Sequence, residues 1–553
     1  MPYYRLLLIL LISFLSCLNL NSQNTVGTIS ITDDVFDGFT LFSIHKKTYL
    51  INSCGEIINE WTSLYEPGNS VYLLPNGNIL RAGEFANGSN LNFGGMGGII
   101  EVFDWDGNIV WSYIYSSNEH RQHHDVFPMP NGNVLILAAT PVDQASAIQA
   151  GRDPMKLSDN ELYNEQIIEI ELVGTNQGNI VWEWNIMDHL VQDFDPNKDN
   201  FGIISNFPRK LNINFLNGFD DGKNWLHVNS IQYDELRDQI VISSRRMSEL
   251  WIIDHSTTTA EASTDNGGIY GHGGDFLYRW GNPQAYNRGN ESDRTLYGQH
   301  MPYIIPEGLP NAGKIMVFNN GFGRTPSFSE IYLIEPPISS PGVYTLEANT
   351  TFGPPEPYFS YPEMPPTEDS DFFSAIVSSA QQLPNGNILV CEGREGRFFE
   401  LDENNNIVWD YISPISSDNG IISEQFSDPP LNKIIFRALK YDINYQAFEN
   451  RDLTPSGTIE LNPNILPCQQ ALNLDSADDL IINIYPNPTE DNLEIKLVSN
   501  LTVNSIEIYN MLGEKILENT EQNSISVNKL KTGIYLAYIT IGNRVAVKKI
   551  IKN

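Results

Sequence analysis

Three histidines stand in similar short settings along this chain. His123 lies in Gln-His-His-Asp-Val, His227 in Leu-His-Val-Asn-Ser and His300 in Gln-His-Met-Pro, in a sequence with only 9 histidines among 553 residues. Each setting comes shortly before a strand-like run, at about the same phase of a repeating pattern. Near neutral pH an imidazole can act as a nucleophile, as a general acid or base, or as a donor to an anion. Because residues at one phase of a closed repeat converge in space, we expect one shared polar site.

Further polar side chains accompany these histidines. Arg245 follows the strand that returns from the His227 setting, and a guanidinium beside imidazoles suits an anionic group such as sulfate, sulfonate or phosphate. Asn229 lies two residues after His227, just as Asp125 lies two residues after His123. Either side chain could fix the tautomer of a ring, and Asn229 could also donate to an oxyanion.

The composition excludes several classes of partner. The chain has 33 Lys and Arg against 68 Asp and Glu, a net charge of −35, which argues against nucleic acid and anionic membranes. Residues 1–22, with an almost wholly apolar run from Leu6 to Leu15, fit an export signal. One cysteine would leave with that signal, and the other three allow one disulfide whose pairing is open. No metal-ligand spacing such as Cys-x-x-Cys occurs, and we expect neither a metal nor a cofactor.

Two short motifs recur and define the elements that must position the site. Leu-Pro-Asn-Gly-Asn or Met-Pro-Asn-Gly-Asn occurs at 74–78, 129–133 and 383–387, and Asn-Ile-Val-Trp at 108–111, 179–182 and 406–409. Asn-Gly between apolar runs predicts a hairpin, so one unit is a four-stranded antiparallel meander. Such sheets bury both faces by stacking against copies of themselves. We count six copies, starting near residues 41, 99, 167, 250, 331 and 398, and predict an all-β fold with a six-bladed β-propeller over residues 27–461.

The C-terminal part has a different character. Residues 462–480 read as a linker, and alternating strands over 481–553 predict a small β-sandwich. Tyr-Pro-Asn-Pro at 485–488, Gly-Ile-Tyr-Leu at 533–536 and the lysine-rich end at 548–552 resemble the type A sorting domain of the type IX secretion system. This resemblance implies a Gram-negative cell whose type IX machinery exports the protein through the periplasm, to be released or anchored at the surface. In that family the tail is usually removed.

The main body, about residues 40–460, resembles the bacterial arylsulfate sulfotransferases, which are six-bladed propellers. The resemblance rests on His-His-Asp at 123–125, His-x-Asn-Ser at 227–230, Ser-Ser-Arg at 243–245 and Gly-Gln-His at 298–300. It implies transfer of a sulfuryl group from an aryl sulfate donor to a phenolic acceptor, without a nucleotide sulfate donor. The short segment before the first repeat leaves little room for the extra N-terminal β-domain of better-known members, so the oligomeric state is open.

The resemblance also implies roles for individual residues. His300 is the expected nucleophile, which becomes N-sulfated, and Arg245, His227 and Asn229 are expected to hold the sulfuryl oxygens. A histidine of the 123–124 pair is expected to protonate the leaving phenolate. Tyr297, close to His300, is a candidate for the wall of an aryl pocket.

The adjacent pair His123 and His124 leaves one assignment open. Counting from His227 by repeat phase favours His123 as the third histidine of the site. Counting back from Pro130, as His300 is counted from Pro306, favours His124.

Two other functions compete with sulfuryl transfer. The chain could be a non-catalytic cell-surface propeller that binds a glycan or a protein, in which case the histidines would be inherited relics. The Gly-Asn-Ile-Val-Trp repeats also suggest a quinone-dependent dehydrogenase propeller, although those proteins usually have more blades and calcium ligands.

Overall fold

The computed structural model describes residues 23–157, 159–218, 222–464, 467–468, 481–497, 502–510, 515–520, 523–541 and 544–553. The expected export signal and most of the expected linker lie outside the described residues. The chain divides into two compact units, Met1–Ile465 and Leu466–Asn553. Where they are described, both units consist almost entirely of strands and turns.

The first half of unit one begins with the separate strand β1 (Gly27–Ile31) and continues with three sheets. Sheet 1 contains β2 (Gly38–Ile44), β3 (Lys47–Ile51) and β4 (Ile57–Thr62). Sheet 2 contains β5 (Pro67–Leu73), β6 (Ile79–Glu84), β7 (Gly98–Phe103) and β8 (Ile109–Ile114). Sheet 3 contains β9 (Arg121–Pro128), β10 (Val134–Asp143), β11 (Glu161–Val173) and β12 (Gln177–Asn185). A short parallel pair follows, β13 (Leu190–Val191) and β14 (Leu211–Asn212).

The second half contributes three more sheets. Sheet 4 contains β15 (Val228–Asp234), β16 (Gln239–Ser244), β17 (Glu249–Asp254) and β18 (Tyr278–Trp280). Sheet 5 contains β19 (His300–Ile304), β20 (Ile315–Asn319), β21 (Glu330–Ile334) and β24 (Phe359–Tyr361). A separate hairpin of β22 (Ile338–Ser340) and β23 (Val343–Tyr344) lies between β21 and β24 in the chain. Sheet 6 contains β25 (Ser379–Gln382), β26 (Ile388–Glu392), β27 (Arg397–Leu401) and β28 (Ile407–Ile412). The last strand of the unit is β29 (Ala438–Asp442).

Both ends of unit one pair with distant strands. Strand β29 pairs antiparallel with β2 and so becomes the first strand of sheet 1, while β1 adds a fifth strand to sheet 6 beside β28. This explains why the expected repeat near residue 41 is one strand out of step. Five of the six expected starts lie in the third strand of their sheets, at residues 99, 167, 250, 331 and 398. Residue 41 lies in the second strand of sheet 1, because the first strand of that sheet comes from the far end of the unit.

Local sequence explains the regularity of these sheets. An Asn-Gly turn joins the first two strands of sheets 2, 3 and 6, where Gly77, Gly132 and Gly386 have φ of 85°, 89° and 101°. Only glycine adopts this left-handed backbone without steric cost, which is why the turn motif recurs. Among the described residues of this unit the helices are short: α1 (Gln144–Gln149), α2 (Thr259–Ala262) and single turns at Pro154–Lys156, Ile186–Asp188, Ile204–Asn206, Pro283–Tyr286, Glu291–Asp293, Gly393–Glu395 and Gln446–Phe448.

Hydrophobic clusters fill the spaces between successive sheets. Each of six clusters combines buried side chains from two neighbouring sheets, and one of them joins Phe42 and Tyr49 of sheet 1 with Leu389 and Phe398 of sheet 6. Tryptophans of the outer strands add hydrogen bonds from their indole N–H to the next sheet: Trp61 to Asp104, Trp111 to Gln177, Trp182 to Thr257 and Trp409 to Ser53. The repeated tryptophan is therefore a structural link between sheets.

Unit two is a small two-layer β domain. One sheet contains β30 (Ile481–Tyr485), β31 (Asn492–Leu497) and β34 (Ser524–Ser526), and the other contains β32 (Ser505–Asn510), β33 (Lys515–Thr520), β35 (Gly533–Ile541) and β36 (Arg544–Lys552). A single cluster that includes Leu493, Ile508 and Ile539 forms its core. In the part of the chain that the structure describes, no helix has the length and apolarity needed to cross a membrane.

Candidate active site

The candidate site lies where the first strands of sheets 3, 4 and 5 begin. His123 and His124 are in β9, His227 directly precedes β15, and His300 is the first residue of β19. The pairing with the second strand is irregular at each of these places, with register shifts at His123–Asp125, at Asn229 and at Met301–Pro302. Such bulges change the direction of side chains near the end of a strand and are frequent beside active sites.

The backbone at these bulges is unusual. His124, His227 and Met301 have φ of 50°, 47° and 49°. Left-handed backbone is uncommon for side-chain-bearing residues and clusters at functional sites, where the surrounding structure maintains it. Sheets 3, 4 and 5 therefore share a strained strand start at or next to a candidate histidine.

A neighbouring asparagine fixes the tautomer of His300. Its Nδ1 lies 2.7 Å from Oδ1 of Asn320, whose Nδ2 donates to the carbonyl oxygens of Ser374 at 2.6 Å and Val377 at 2.9 Å. Because the amide hydrogens are used in this way, Asn320 can only accept from the ring. Nδ1 of His300 therefore carries the proton, and Nε2 carries the lone pair.

His300 is uncharged near neutral pH. Burial lowers its pKa to about 3, and the positive charges of Arg245 and Arg437 act in the same direction, against the opposing hydrogen bond with Asn320. The side chain is only 3% exposed. The lone pair on Nε2 is thus available for attack across the physiological pH range.

His124 and His227 belong to the same electrostatic cluster. Their ring centroids are 4.9 Å apart in an edge-to-face arrangement. Burial lowers the pKa of His124 well below its usual value, and the charges of His227, His123 and His300 contribute to the shift. Burial likewise lowers the pKa of His227, with contributions from Arg245, Arg246 and His300. These imidazoles are therefore neutral when no anion is bound.

The proton of His227 is on the opposite nitrogen from that of His300. Nδ2 of Asn224 lies 2.9 Å from Nδ1 of His227, and an amide nitrogen can only donate, so Nδ1 accepts. Nε2 of His227 consequently bears the hydrogen. The site thus combines a ring with a lone pair on Nε2 and a ring with an N–H donor on Nε2.

The two residues of the 123–124 pair have different surroundings. His124 faces His227 and Phe436, whose ring centroids lie 4.9 and 6.4 Å from its own. His123 instead contacts Glu165, with Nε2 3.0 Å from Oε2. The two histidines are linked by their Nδ1 atoms at 2.9 Å. The structure therefore brings His124 next to the other site histidines and sets His123 one layer behind it.

Two guanidinium groups flank the histidines. Arg245 stacks on Phe322, 4.4 Å from the ring centroid, and donates to the carbonyl of Ala375 at 3.3 Å. Arg437 pairs with Asp125, Nη2 to Oδ2 at 2.7 Å, and was not among the residues predicted from the sequence.

Arg437 has a sequence signal that was missed. It stands directly before β29, as His227 stands directly before β15, but this becomes visible only when 438–442 is recognised as the first strand of sheet 1. Its partner Asp125 also accepts the N–H of Ile231 at 3.1 Å. Asp125 therefore neutralises an arginine and supports sheet 4, and the contacts that it makes are not with a histidine ring.

The other two predicted residues lie around this centre. Asn229 is fully buried, and its Nδ2 donates to the carbonyl of Gln299 at 2.8 Å, which holds the backbone directly before His300. Tyr297 is half-buried, and the guanidinium carbons of Arg294 and Arg324 lie 4.2 and 5.3 Å from its ring centroid. No sequence motif marks Asn320 or Glu165, because their importance arises only from folding.

A glycine-rich segment at 94–98 covers the histidines. A Cβ on Gly95 would lie 2.2 Å from Nε2 of His124, and one on Gly94 would lie 2.9 Å from Cε1 of His227. The backbone of this segment also accepts the N–H of His124 through the carbonyl of Gly95, at 2.7 Å. Glycine is required here because the main chain itself packs on the rings.

Comparison with solved structures and curated proteins adds distant similarities. A protein of unknown function from Bacteroides caccae is 12% identical and covers 73% of this chain and 98% of its own, with a TM-score of 0.38. A putative 6-phosphogluconolactonase from Bacteroides fragilis is 9% identical, with the same coverages and a TM-score of 0.33. The Ulvan lyase NLR42 of Nonlabens ulvanivorans is 27% identical over 156 residues, which are 25% of this chain and 29% of that relative. The chain thus spans less than a third of that curated relative, and none of these similarities identifies an activity.

The chain also matches the models of two protein families. Residues 44–425, more than half of the chain, match the family Arylsulfotransferase (ASST). Residues 483–553 match the secretion system C-terminal sorting domain, which directs proteins for secretion or attachment at the cell surface. The chain therefore belongs to the arylsulfotransferase family and carries a type IX secretion sorting domain at its C-terminal end.

Proposed function

We propose that this protein is a secreted arylsulfate sulfotransferase. It moves a sulfuryl group from an aryl sulfate to a phenolic acceptor through a sulfohistidine on His300, and it needs no nucleotide sulfate donor. The observation that carries the proposal is the contact of Asn320 with His300, which leaves a neutral imidazole with its lone pair on Nε2 inside a buried site. The sorting domain accounts for export by the type IX machinery.

In this proposal the six sheets of unit one are the blades of a six-bladed β-propeller. Hydrophobic clusters between all neighbouring sheets, including the sixth and the first, support it. The pairing of β29 with β2 supports it as well, because the chain end then closes the ring. The first strands are the innermost ones, so their beginnings in sheets 1, 3, 4 and 5 meet near the central axis.

The first half-reaction transfers the sulfuryl group to the protein. Nε2 of His300 attacks sulfur, an N–S bond forms, and the bond between sulfur and the aryl oxygen breaks with its electron pair on the phenolate. The ring becomes cationic, and its Nδ1–H is held by Oδ1 of Asn320. A hydrogen bond to a charged donor is about twice as strong as a neutral one, so this contact favours the sulfated state.

Donors around the sulfuryl group stabilise the charge on its oxygens. We assign this role to the Arg245 guanidinium and to Nε2–H of His227, by analogy with phosphoryl transfer, where positioning and charge stabilisation dominate. Loss of one such donor typically raises a barrier by roughly 3 kcal/mol. Asn229 acts differently, because its amide already binds the carbonyl before His300 and so positions the nucleophile.

The second half-reaction returns the protein to its starting state. The oxygen of an acceptor phenol attacks the sulfur of the sulfohistidine, the N–S bond breaks, and its electron pair returns to Nε2 of His300. The aromatic side chain of Phe436, whose ring centroid lies 6.3 Å from that of His300, is placed to contact either aryl group.

The proposal is tested by mass spectrometry of protein incubated with 4-nitrophenyl sulfate alone. The expected result is a mass increase of one SO3 group, located on His300 and lost when a phenol is added. His300→Gln should remove the adduct, whereas His272→Gln, a partly exposed histidine in a loop, should keep it. An adduct that persists in His300→Gln would remove His300 from the nucleophile role.

The same experiment decides against the non-catalytic alternative. A surface protein that only binds glycan or protein would form no adduct with any member of a panel of aryl sulfates. Absence of both the adduct and 4-nitrophenol release, in protein shown to be folded, would refute the proposed transferase activity.

A further inference from the structure

We propose that Glu165, His123 and His124 form a proton relay that carries the proton of the acceptor phenol away and later returns it to the leaving phenolate. The relay rests on the proposed function, since it serves the two half-reactions at His300. It also gives both members of the 123–124 pair a role, with His124 facing the other site histidine His227 and His123 behind it.

A carboxylate, that of Glu165, lies at the end of the relay next to His123. Glu165, in the third strand of sheet 3, is 3% exposed, and its Oε2 lies 3.0 Å from Nε2 of His123. Its Oε1 accepts the N–H of Val228 at 3.1 Å, which fixes the carboxylate from the side of sheet 4. The contact with His123 is a close approach rather than an aligned hydrogen bond. Glu165 and His124 therefore meet opposite nitrogens of the same ring, Nε2 and Nδ1.

These contacts determine where the protons are. A ring nitrogen 3.0 Å from a carboxylate oxygen must carry a hydrogen, because two lone pairs at that distance would repel each other. The relay takes His123 as neutral, with its hydrogen on Nε2, so that its Nδ1 accepts from Nδ1–H of His124 across 2.9 Å. His124 is left with a lone pair on Nε2, the nitrogen at its far edge.

The relay solves an electrostatic problem of the site. Burial and the nearby guanidinium of Arg245 both oppose a positive charge on the ring of His124, and a charged His227 or His300 would oppose it further. A single histidine in this place would be a poor base. If each ring accepts one proton and gives up another, no imidazole becomes charged, and the proton is finally held by Glu165 as a neutral carboxyl group.

The proton balance closes over one catalytic cycle. As the acceptor attacks, its O–H proton moves to Nε2 of His124, the Nδ1 proton of His124 moves to Nδ1 of His123, and the Nε2 proton of His123 moves to Glu165. Nε2 of His124 is now protonated. In the next donor half-reaction it gives this proton to the leaving phenolate, and the two inner transfers run in reverse.

The decisive experiment varies the acceptor, not the donor. Glu165→Gln is compared with the unaltered protein at pH 7, using 4-nitrophenyl sulfate and two phenols, one of ordinary pKa near 10 and one whose pKa lies well below 7. The un-ionised phenol needs a base, and its transfer should slow about 100-fold, the low end of general base catalysis. The ionised phenol brings no proton, and its transfer should change by less than about threefold, well under the general-base contribution.

Matched variants separate the relay from a structural role. Glu171→Gln removes an exposed carboxylate from the same strand and should leave both transfers unchanged. His123→Asn interrupts the relay at a second point and should reproduce the dependence on acceptor pKa, which provides the test should Glu165→Gln not fold. An equal loss with both phenols in a folded variant would overturn the relay and leave Glu165 a structural residue. The sulfohistidine adduct of the unaltered protein is a separate readout, and its absence would refute the proposed function instead.

Discussion

Replacing Asn320 tests the tautomer argument directly. In Asn320→Leu the side chain keeps a similar size but no longer accepts the Nδ1–H of His300. The proton can then move to Nε2 and occupy the nitrogen that has to attack. In the sulfated state the buried cationic ring would also lack an acceptor. We therefore expect the variant to bind the donor but to transfer the sulfuryl group slowly.

The magnitude follows from the change in charge at His300. A hydrogen bond to a neutral group contributes about 1 kcal/mol and one to a charged group about 1.5–3 kcal/mol, so the transition state loses about 1 kcal/mol more than the ground state. Loss of the tautomer preference adds a similar amount. A total near 2 kcal/mol corresponds to a fall in kcat of about 30-fold.

The neighbouring Asn319 supplies a matched control. It is equally buried and also makes three hydrogen bonds, to the N–H of Tyr297, the carbonyl of Thr295 and the carboxylate of Glu330, none of which involves His300. Asn319→Leu and Asn320→Leu should therefore lose similar stability in a denaturant titration. Release of 4-nitrophenol under acceptor excess, normalised to folded protein, should fall only in Asn320→Leu. Equal kcat values for the two variants would refute the role of Asn320.

Three further perturbations have defined outcomes. Gly95→Ala places a Cβ 2.2 Å from His124 and should abolish transfer, whereas Gly132→Ala, at a similar positive φ with nothing within 4 Å, should cost only stability in a thermal melt. His300 has a folded pKa of about 3 against a usual 6.5, so the unfolded chain binds the proton more readily and stability is lost as the pH falls through this window. Between pH 6.5 and 5 the unaltered protein should lose about 1.5 kcal/mol more than His300→Gln in urea titrations. Equal losses in the two proteins would contradict the buried, neutral ring. Arg245→Gln removes the charge-assisted hydrogen bonds that we propose to the donor and should lower kcat/KM for aryl sulfates by about 10- to 100-fold, equivalent to about 1.5–3 kcal/mol. An unchanged value would exclude Arg245 from the sulfuryl site.

Much of the architecture is readable from the sequence because local rules dominate it. The Asn-Gly turns require a left-handed glycine, and the Ile-Val-Trp strands alternate around a tryptophan that donates to the next sheet. Both the turn and the strand motif consist of a few adjacent residues, so they can be recognised in the sequence without knowledge of the fold. The long-range pairing of β29 with β2 has no such local signal, and this displaced the first repeat by one strand.

The residues of the candidate site also fall into two groups, those that sequence motifs indicate and those that only the structure reveals. Repeat phase and family motif coincide at His227, His300 and Arg245, and the structure brings these three residues into one cluster. Asn320, Glu165 and Arg437 were missed because each acts through a partner far away in sequence: Glu165 meets His123 from two strands away, and Arg437 meets Asp125 across 312 positions. Repeat phase favours His123, whereas the structure places His124 beside His227, because the bulge in β9 changes the direction of adjacent side chains.

If the proposed function is correct, the charge of this site should favour a sulfate monoester over a phosphate monoester. Burial keeps His124, His227 and His300 neutral, and Asp125 balances Arg437, so the excess positive charge is at most that of Arg245 and Arg246 less the carboxylate of Glu165. A sulfate monoester carries one negative charge, which this arrangement can match. A phosphate monoester carries about 1.5–2 negative charges near neutral pH, and the remainder would be buried without a counter-charge in a protein whose net charge is −35. Sulfate and phosphate monoesters have nearly the same shape but differ in charge. Because the imidazoles stay neutral, they can donate hydrogen bonds to either anion without adding the positive charge that a phosphate monoester would need.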